Sequence, residues 1–176
     1  MKRYGNTMGQ LRRLLQDAKY DPASAFDAAE ILECTGRNSR LTQLLYDRAT
    51  YGHKTAAKTN LAKLKLAHLL ISGHYIKDAD KSSLTTYIKD DEQAFALIKE
   101  TESNGYGKAA YLLARAYIDG IGVAQSKSMA IYYLDQLTEA STDRNEFEQA
   151  ELQVFGSISL ELRHLMFQQH NKSASK

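Results

Sequence analysis

The chain has 176 residues, a quarter of them charged, and its 23 lysines and arginines nearly balance its 21 aspartates and glutamates. The two signs are interspersed without a basic block, which argues against nucleic-acid binding. The single cysteine, Cys34, excludes an intrachain disulfide and a cysteine-based zinc site, and we expect it to be a small buried residue.

Helical patterns begin near the N-terminus. Apolar residues at helical spacing in residues 8–21 predict a short amphipathic helix. Residues 22–54 then predict a pair of helices, because Asp21 followed by proline is a typical N-terminal helix signal and Gly36 is typical of a helix end. We interpret this pair as a degenerate first repeat.

The same pattern recurs over residues 55–105, where the first helix is predicted to end at Gly73 and the second at Gly105. A long polar insertion, residues 74–89, separates the two helices. Insertions of this length inside a repeat are often functional or mobile, and the alternative is that this one extends a helix and folds back on the stack. We find no alternating strand pattern of useful length, so the chain is predicted to be all-α.

The clearest copy covers residues 106–141, where two helical runs flank the turn Gly-Ile-Gly-Val at 120–123. A helix pair of this size cannot bury its own apolar faces and needs neighbours of the same kind. Residues 143–168 carry a further apolar stripe that predicts a helix capping the stack, interrupted if Gly156 breaks it, with docking onto a partner chain as the alternative. The polar residues 169–176 are predicted to be a flexible tail.

The spacing of the third copy resembles the Sel1-like repeat, a relative of the tetratricopeptide repeat. The third copy matches through Leu113-Ala114-x-x-Tyr117-x-x-Gly120-x-Gly122-Val123 and Ala130-x-x-Tyr133. The second copy matches through Leu66-Ala67-x-x-Leu70-x-x-Gly73 and Asp90-x-x-x-Ala94-x-x-Leu97. The resemblance implies a single domain of residues 1–176, a short right-handed α-solenoid of about three antiparallel helix pairs.

Small residues and glycines in this pattern suit close helix contacts and tight turns between helices. The positions predicted to build the repeats are Ala67, Gly73, Gly105, Ala114, Gly120, Gly122, Ala130 and Tyr133.

Sel1-like proteins typically act as adaptor scaffolds, so the resemblance implies a non-enzymatic adaptor that binds a protein or peptide on the concave face. In a helix-pair solenoid that face is lined by the first helix of each pair. The predicted partner-binding residues are Leu64, Lys65, His68, Lys108, Tyr111, Leu112 and Arg115. The alternative is that the apolar ones pack between helices and the charged ones are merely solvated.

Two other functions remain open at this point. Some bacterial Sel1-like proteins belong to envelope or exopolysaccharide assembly complexes, and an enzyme or enzyme regulatory subunit is a third possibility. No motif assigns a catalytic residue, a metal site or a cofactor. No run of 18 apolar residues and no signal peptide is visible. We therefore expect no transmembrane segment and a cytoplasmic location, with a periplasmic or secreted one if an export segment has been removed.

Overall fold

A computed structural model describes residues 7–36, 39–77, 85–140 and 144–174. Within these ranges the chain forms nine helices and one short β-ribbon. In chain order the elements are α1 (Thr7–Asp17), α2 (Pro22–Cys34), α3 (Ser39–Ala49), α4 (Ala57–Ser72), β1 (Tyr75–Lys77), β2 (Thr86–Ile88), α5 (Asp91–Ser103), α6 (Lys108–Asp119), α7 (Lys127–Ala140), α8 (Arg144–Phe155) and α9 (Leu160–Ala174).

Helices α2 to α7 form three pairs, α2 with α3, α4 with α5 and α6 with α7, and each pair packs on the next through α3 with α4 and α5 with α6. Helix α1 packs on α2 at the N-terminal end. The buried apolar side chains form one cluster within α1 to α4 and a larger one that extends from α4 to α9. The predicted all-α solenoid is confirmed.

Local sequence signals explain where the helices begin and end. The Asp21 carboxylate accepts hydrogen bonds from the first turn of α2, where Pro22 occupies the first position, and Asp90 does the same for α5. Gly73 and Gly120 end α4 and α6 in the left-handed conformation, with φ of 72° and 73°. A residue without Cβ adopts that conformation at little cost.

Small residues lie on the buried sides of the repeat helices. Ala67, Ala114 and Ala130 are all fully buried. Beside them the ring of Tyr133 stacks on Tyr117, with 5.8 Å between centroids. Offset aromatic pairs of this kind add to the stabilisation from buried area.

Gly122, in the turn between α6 and α7, packs directly against the start of α5. It has a φ of 67°, and a Cβ placed on it would overlap the main-chain carbonyl oxygen of Asp91 and lie 2.8 Å from Cβ of Phe95. Glycine is therefore required here both by the backbone conformation and by the absence of space.

The insertion contains the ribbon that the sequence did not predict. Strands β1 and β2 pair antiparallel, with Ile76 opposite Tyr87. The expectation of no strand is wrong here, because three-residue strands are too short to show an alternating pattern. Ile76 is buried, and the Gln43 side chain of α3 both donates to its carbonyl oxygen (2.9 Å) and accepts from its N–H (2.7 Å). Residues 78–84 of the insertion lie outside the described residues.

The C-terminal region also differs from the prediction. The single helix expected over 143–168 is two helices, α8 and α9, because Gly156 adopts a left-handed φ of 73° between them. The segment 169–176, expected to be a flexible tail, is helical as far as Ala174. At the other end, the helix predicted over 8–21 stops at Asp17 and a turn leads to the Asp21 cap.

Cys34, expected to be buried, is exposed at the last position of α2. Ala25 and Leu32 are on the buried side of that helix, and at about 100° per residue Cys34 lies on nearly the opposite side. In the described ranges no helix is both long and apolar enough to cross a membrane.

Candidate functional site

The first helices of the three pairs, α2, α4 and α6, form one surface, which we call the first-helix face. The sequence predicted this surface to be the open, partner-binding side of the solenoid. The structure places α8 on it, packed against both α4 and α6, while α9 packs on α6 and α7. The part of the first-helix face formed by α4 and α6 is therefore covered by the chain itself.

Three of the predicted partner-binding residues are buried. Leu64, Tyr111 and Leu112 have 4%, 0% and 0% of their surface exposed, and they belong to the same core cluster as α8 residues. Phe147 of α8 stacks on the Tyr111 ring, with 5.8 Å between centroids. The expectation that these three side chains are accessible is wrong, and the alternative, packing between helices, is right for them.

Arg115, a fourth predicted residue, holds the junction between α8 and α9. Its guanidinium pairs with the fully buried carboxylate of Glu151 on α8 and with Asp119 on its own helix. Nη1 also donates to the main-chain oxygen of Ser157 (2.6 Å), and the guanidinium carbon lies 5.5 Å from the centre of the Phe155 ring. The side chain is only 12% exposed, so it is an internal anchor rather than a free cation.

His68 binds the same end of α8 from the neighbouring first helix. Its Nδ1 donates to the main-chain oxygen of Val154 (2.9 Å), because a carbonyl oxygen can only accept. Carbonyl groups in the last turn of a helix have no partner within the helix. His68 thus satisfies a carbonyl group in the last turn of α8, and Arg115 satisfies one in the turn that follows while pairing with Glu151 of α8. Two residues predicted to contact a partner therefore contact α8 instead.

The polar groups under α8 are incompletely satisfied. Glu151 Oε1 accepts from the Ser159 N–H (2.9 Å) as well as from Arg115. Within the described residues, Glu151 Oε2 and the Tyr111 hydroxyl are buried without a hydrogen bond of good geometry. Burial, followed by the negative charge of Glu151, raises the pKa of Tyr111.

The remaining part of the first-helix face, between α2 and α4, is open and charged. Lys65 pairs with Glu33 (2.7 Å) and Glu30 (3.3 Å), whose side chains are 43% and 44% exposed. Tyr46 donates to Glu33 (2.7 Å) and lies beneath these charges. Burial alone would raise the pKa of Glu33, but the hydrogen bonds from Lys65 and Tyr46 and the positive charge of Lys65 lower it overall. A cavity of about 220 Å³ adjoins these residues between α2, α3 and α4. Lys108, the last predicted residue, is partly buried at the start of α6.

The hydroxyls of Tyr46 and Tyr111 provide a matched comparison. Both side chains are buried, but Tyr46 makes a charge-assisted hydrogen bond of good geometry, to Glu33, and the Tyr111 hydroxyl, although it lies near the Glu151 carboxylate, does not. We expect Tyr46→Phe to lower the free energy of unfolding by about 1–2 kcal/mol, and Tyr111→Phe to change it by less than about 0.5 kcal/mol or to raise it. Urea denaturation of the two variants checks this, and equal losses would contradict the assignment.

The raised pKa values of the same two tyrosines lead us to expect a lower free energy of unfolding at alkaline pH. Burial, chiefly, and nearby carboxylates raise the pKa of both Tyr46 and Tyr111 above that of tyrosine in the unfolded chain. The folded protein therefore retains protons that the unfolded chain releases, so stability falls as the pH rises above about 10. Urea midpoints measured from pH 8 to pH 11 should fall less steeply in the Tyr46→Phe/Tyr111→Phe double variant.

In the part of the chain that the structure describes, no three His, Cys, Asp or Glu side chains converge as a metal-binding group. The candidate site consists of the groove between α4 and α6, which α8 covers, and the open, charged cleft between α2 and α4.

The architecture is similar to that of a solved protein. The crystal structure of a Sel1 repeat protein from Oxalobacter formigenes matches 84% of this chain and 98% of that chain, with a TM-score of 0.56 and 19% sequence identity. No family model and no curated protein matches the sequence. The chain therefore has the Sel1-like repeat fold that the spacing of its glycines and alanines predicted.

Proposed function

We propose that this protein is a non-enzymatic interaction adaptor that binds a protein or peptide through its first-helix face. The observation that carries the proposal is the position of α8, which lies across α4 and α6 in the way a bound helix lies in a groove. A surface that accepts a helix of its own chain has the shape and the polar groups to accept a helix or extended segment of another. The Sel1-like repeat fold also favours protein partners.

The open part of this face offers a second contact region for the same partner. Lys65, Glu30 and Glu33 present both signs of charge beside the cavity between α2 and α4. The Lys65 side chain is 21% exposed and the two glutamate side chains are 43–44% exposed, and partly exposed charges at an interface contribute orientation and specificity more than affinity. Reversing one of them should therefore disfavour a partner that is selected by charge.

The test compares two charge reversals on different surfaces. Lys65→Glu alters the first-helix face, and Lys99→Glu alters an exposed position on α5, a second helix. We expect the Lys65→Glu chain to lose most of the proteins that the unmodified chain captures from its native host, and Lys99→Glu to retain them. Circular dichroism should give the same helical content for both. Equal capture by the two variants would place the partner elsewhere.

A further inference from the structure

Resting on the proposed function above, we propose that the groove between α4 and α6 binds an amphipathic helix of a partner protein, and that α8 fills this groove until the partner helix displaces it. The partner helix is recognised by an aromatic residue, a small residue three positions later, a carboxylate at the fourth position and an aliphatic residue at the seventh.

The buried side of α8 supplies that pattern. Phe147, Ala150, Glu151 and Val154 stand at positions i, i+3, i+4 and i+7 and have between 0% and 9% of their surface exposed. Anchors at this spacing lie on one side of a helix, which is how helices dock into grooves. The other side of α8 carries the partly buried Glu148 and the exposed Gln149, together with Leu152, which is 51% exposed. Helix α8 is thus amphipathic in the sense required of a groove ligand.

Charge complementarity selects the carboxylate. Arg115 lies on the floor of the groove, and Glu151 reaches it from α8 in a position with no exposed surface. A helix with an apolar or basic residue there would leave Arg115 with only Asp119, on its own helix, as a carboxylate partner among those described. His68, which donates to the carbonyl of Val154, adds a contact to the helix end that does not depend on sequence.

The contact between α8 and the groove contains buried polar atoms that are not fully satisfied. Glu151 Oε2 on α8 and the hydroxyl of Tyr111 on α6 lack a hydrogen bond of good geometry among the described residues, as do side-chain atoms of Arg40 on α3 and Asp91 on α5. Each unsatisfied buried group subtracts from the free energy gained by docking. A partner helix that supplies one further donor near Tyr111 would occupy the groove more favourably.

The tether explains why α8 occupies the groove in the absence of a partner. Helix α7 ends at Ala140 and α8 begins at Arg144, so α8 is held close to the groove at high effective concentration. An external helix must compete with it. Weakening the docked α8, without altering α4 or α6, should therefore raise the affinity of the groove for an external helix.

The test uses a fluorescein-labelled peptide with the sequence of residues 144–159 and the full-length chain. Fluorescence anisotropy should give at least tenfold tighter binding of the peptide to the Glu151→Lys chain than to the unmodified chain. The matched control is Leu152→Lys, which adds the same charge to the exposed side of α8 and should leave peptide affinity unchanged. A peptide that itself carries Glu151→Lys should bind the Glu151→Lys chain at least tenfold more weakly than the unmodified peptide.

Failure to bind the peptide, in a Glu151→Lys chain that keeps its helical content, would overturn the inference and make α8 a fixed part of the core. If that variant unfolds, hydrogen exchange on the unmodified chain decides instead. Amides of α8 should then be protected at least tenfold less than those of α6, and equal protection overturns the proposal. If the chain forms a dimer that the peptide dissociates, the helix that occupies the groove comes from a second copy of this chain. That result would refute the proposal that it comes from a partner protein. If the peptide does not bind but the capture of host proteins still depends on Lys65, this inference is refuted and the proposed function is retained.

Discussion

Replacing Gly122 with alanine is expected to lower the free energy of unfolding by roughly 3–4 kcal/mol. The left-handed conformation at φ 67° contributes about 1–2 kcal/mol for a residue with a Cβ. The rest arises because that Cβ would overlap the carbonyl oxygen of Asp91, a main-chain atom that cannot rotate away. The turn or the start of α5 must therefore shift. For a chain of this size the loss corresponds to a decrease in Tm of roughly 10 °C.

Gly105→Ala is the matched control. Gly105 also has a left-handed φ, 83°, but a Cβ there would meet no atom within 4 Å. Its replacement should cost only the conformational part, about 1–2 kcal/mol. Urea denaturation of both variants separates backbone conformation from lack of space, and losses of the same size would contradict the contact between the turn and α5.

Replacing Arg115 with methionine should have an effect of similar size, about 3–5 kcal/mol. The substitution removes the cation that pairs with the buried Glu151, and a buried carboxylate without a partner is strongly destabilising. The destabilisation cannot exceed the free energy of docking α8, because an undocked α8 would return the Glu151 carboxylate to water. Urea denaturation, followed by circular dichroism, measures the total effect.

A second substitution and a control establish the cause. In the double variant Arg115→Met/Glu151→Met, both charges are replaced by apolar groups of similar length, so most of the lost stability should return. Lys58→Met removes the cation of the Lys58–Asp27 pair (2.6 Å), whose side chains are 44% and 41% exposed, and should cost less than about 1 kcal/mol. A double variant as unstable as Arg115→Met would show that the charge of Glu151 is not the cause.

The repeat architecture could be predicted from the sequence because its determinants are local. Apolar spacing indicates each helix, and glycines such as Gly73 and Gly120 mark helix ends whose backbone conformation favours that residue. The ribbon could not be predicted in the same way. Its strands have three residues each, and Gln43, which binds the main chain of Ile76, lies 33 positions earlier in the sequence.

The covered groove was missed for a related reason. The apolar stripe of Phe147, Ala150 and Val154 predicts a helix with one buried side, but not whether that side covers the end of the stack or the first-helix face. From the sequence alone, Glu151, next to this stripe, would be predicted to be a solvent-exposed carboxylate. Its burial depends on Arg115, which is 36 residues away. Such pairings are set by the path of the chain after α7 rather than by local spacing.

The bond between Gln43 and the ribbon has a consequence for how the molecule unfolds. Arrays whose units touch only their neighbours can lose one unit at a time from an end. Here the departure of the outermost pair would also break both hydrogen bonds of Gln43 to the main chain of Ile76 and expose that buried residue to water. We therefore expect the first pair to be coupled to the second more strongly than helix packing alone would give.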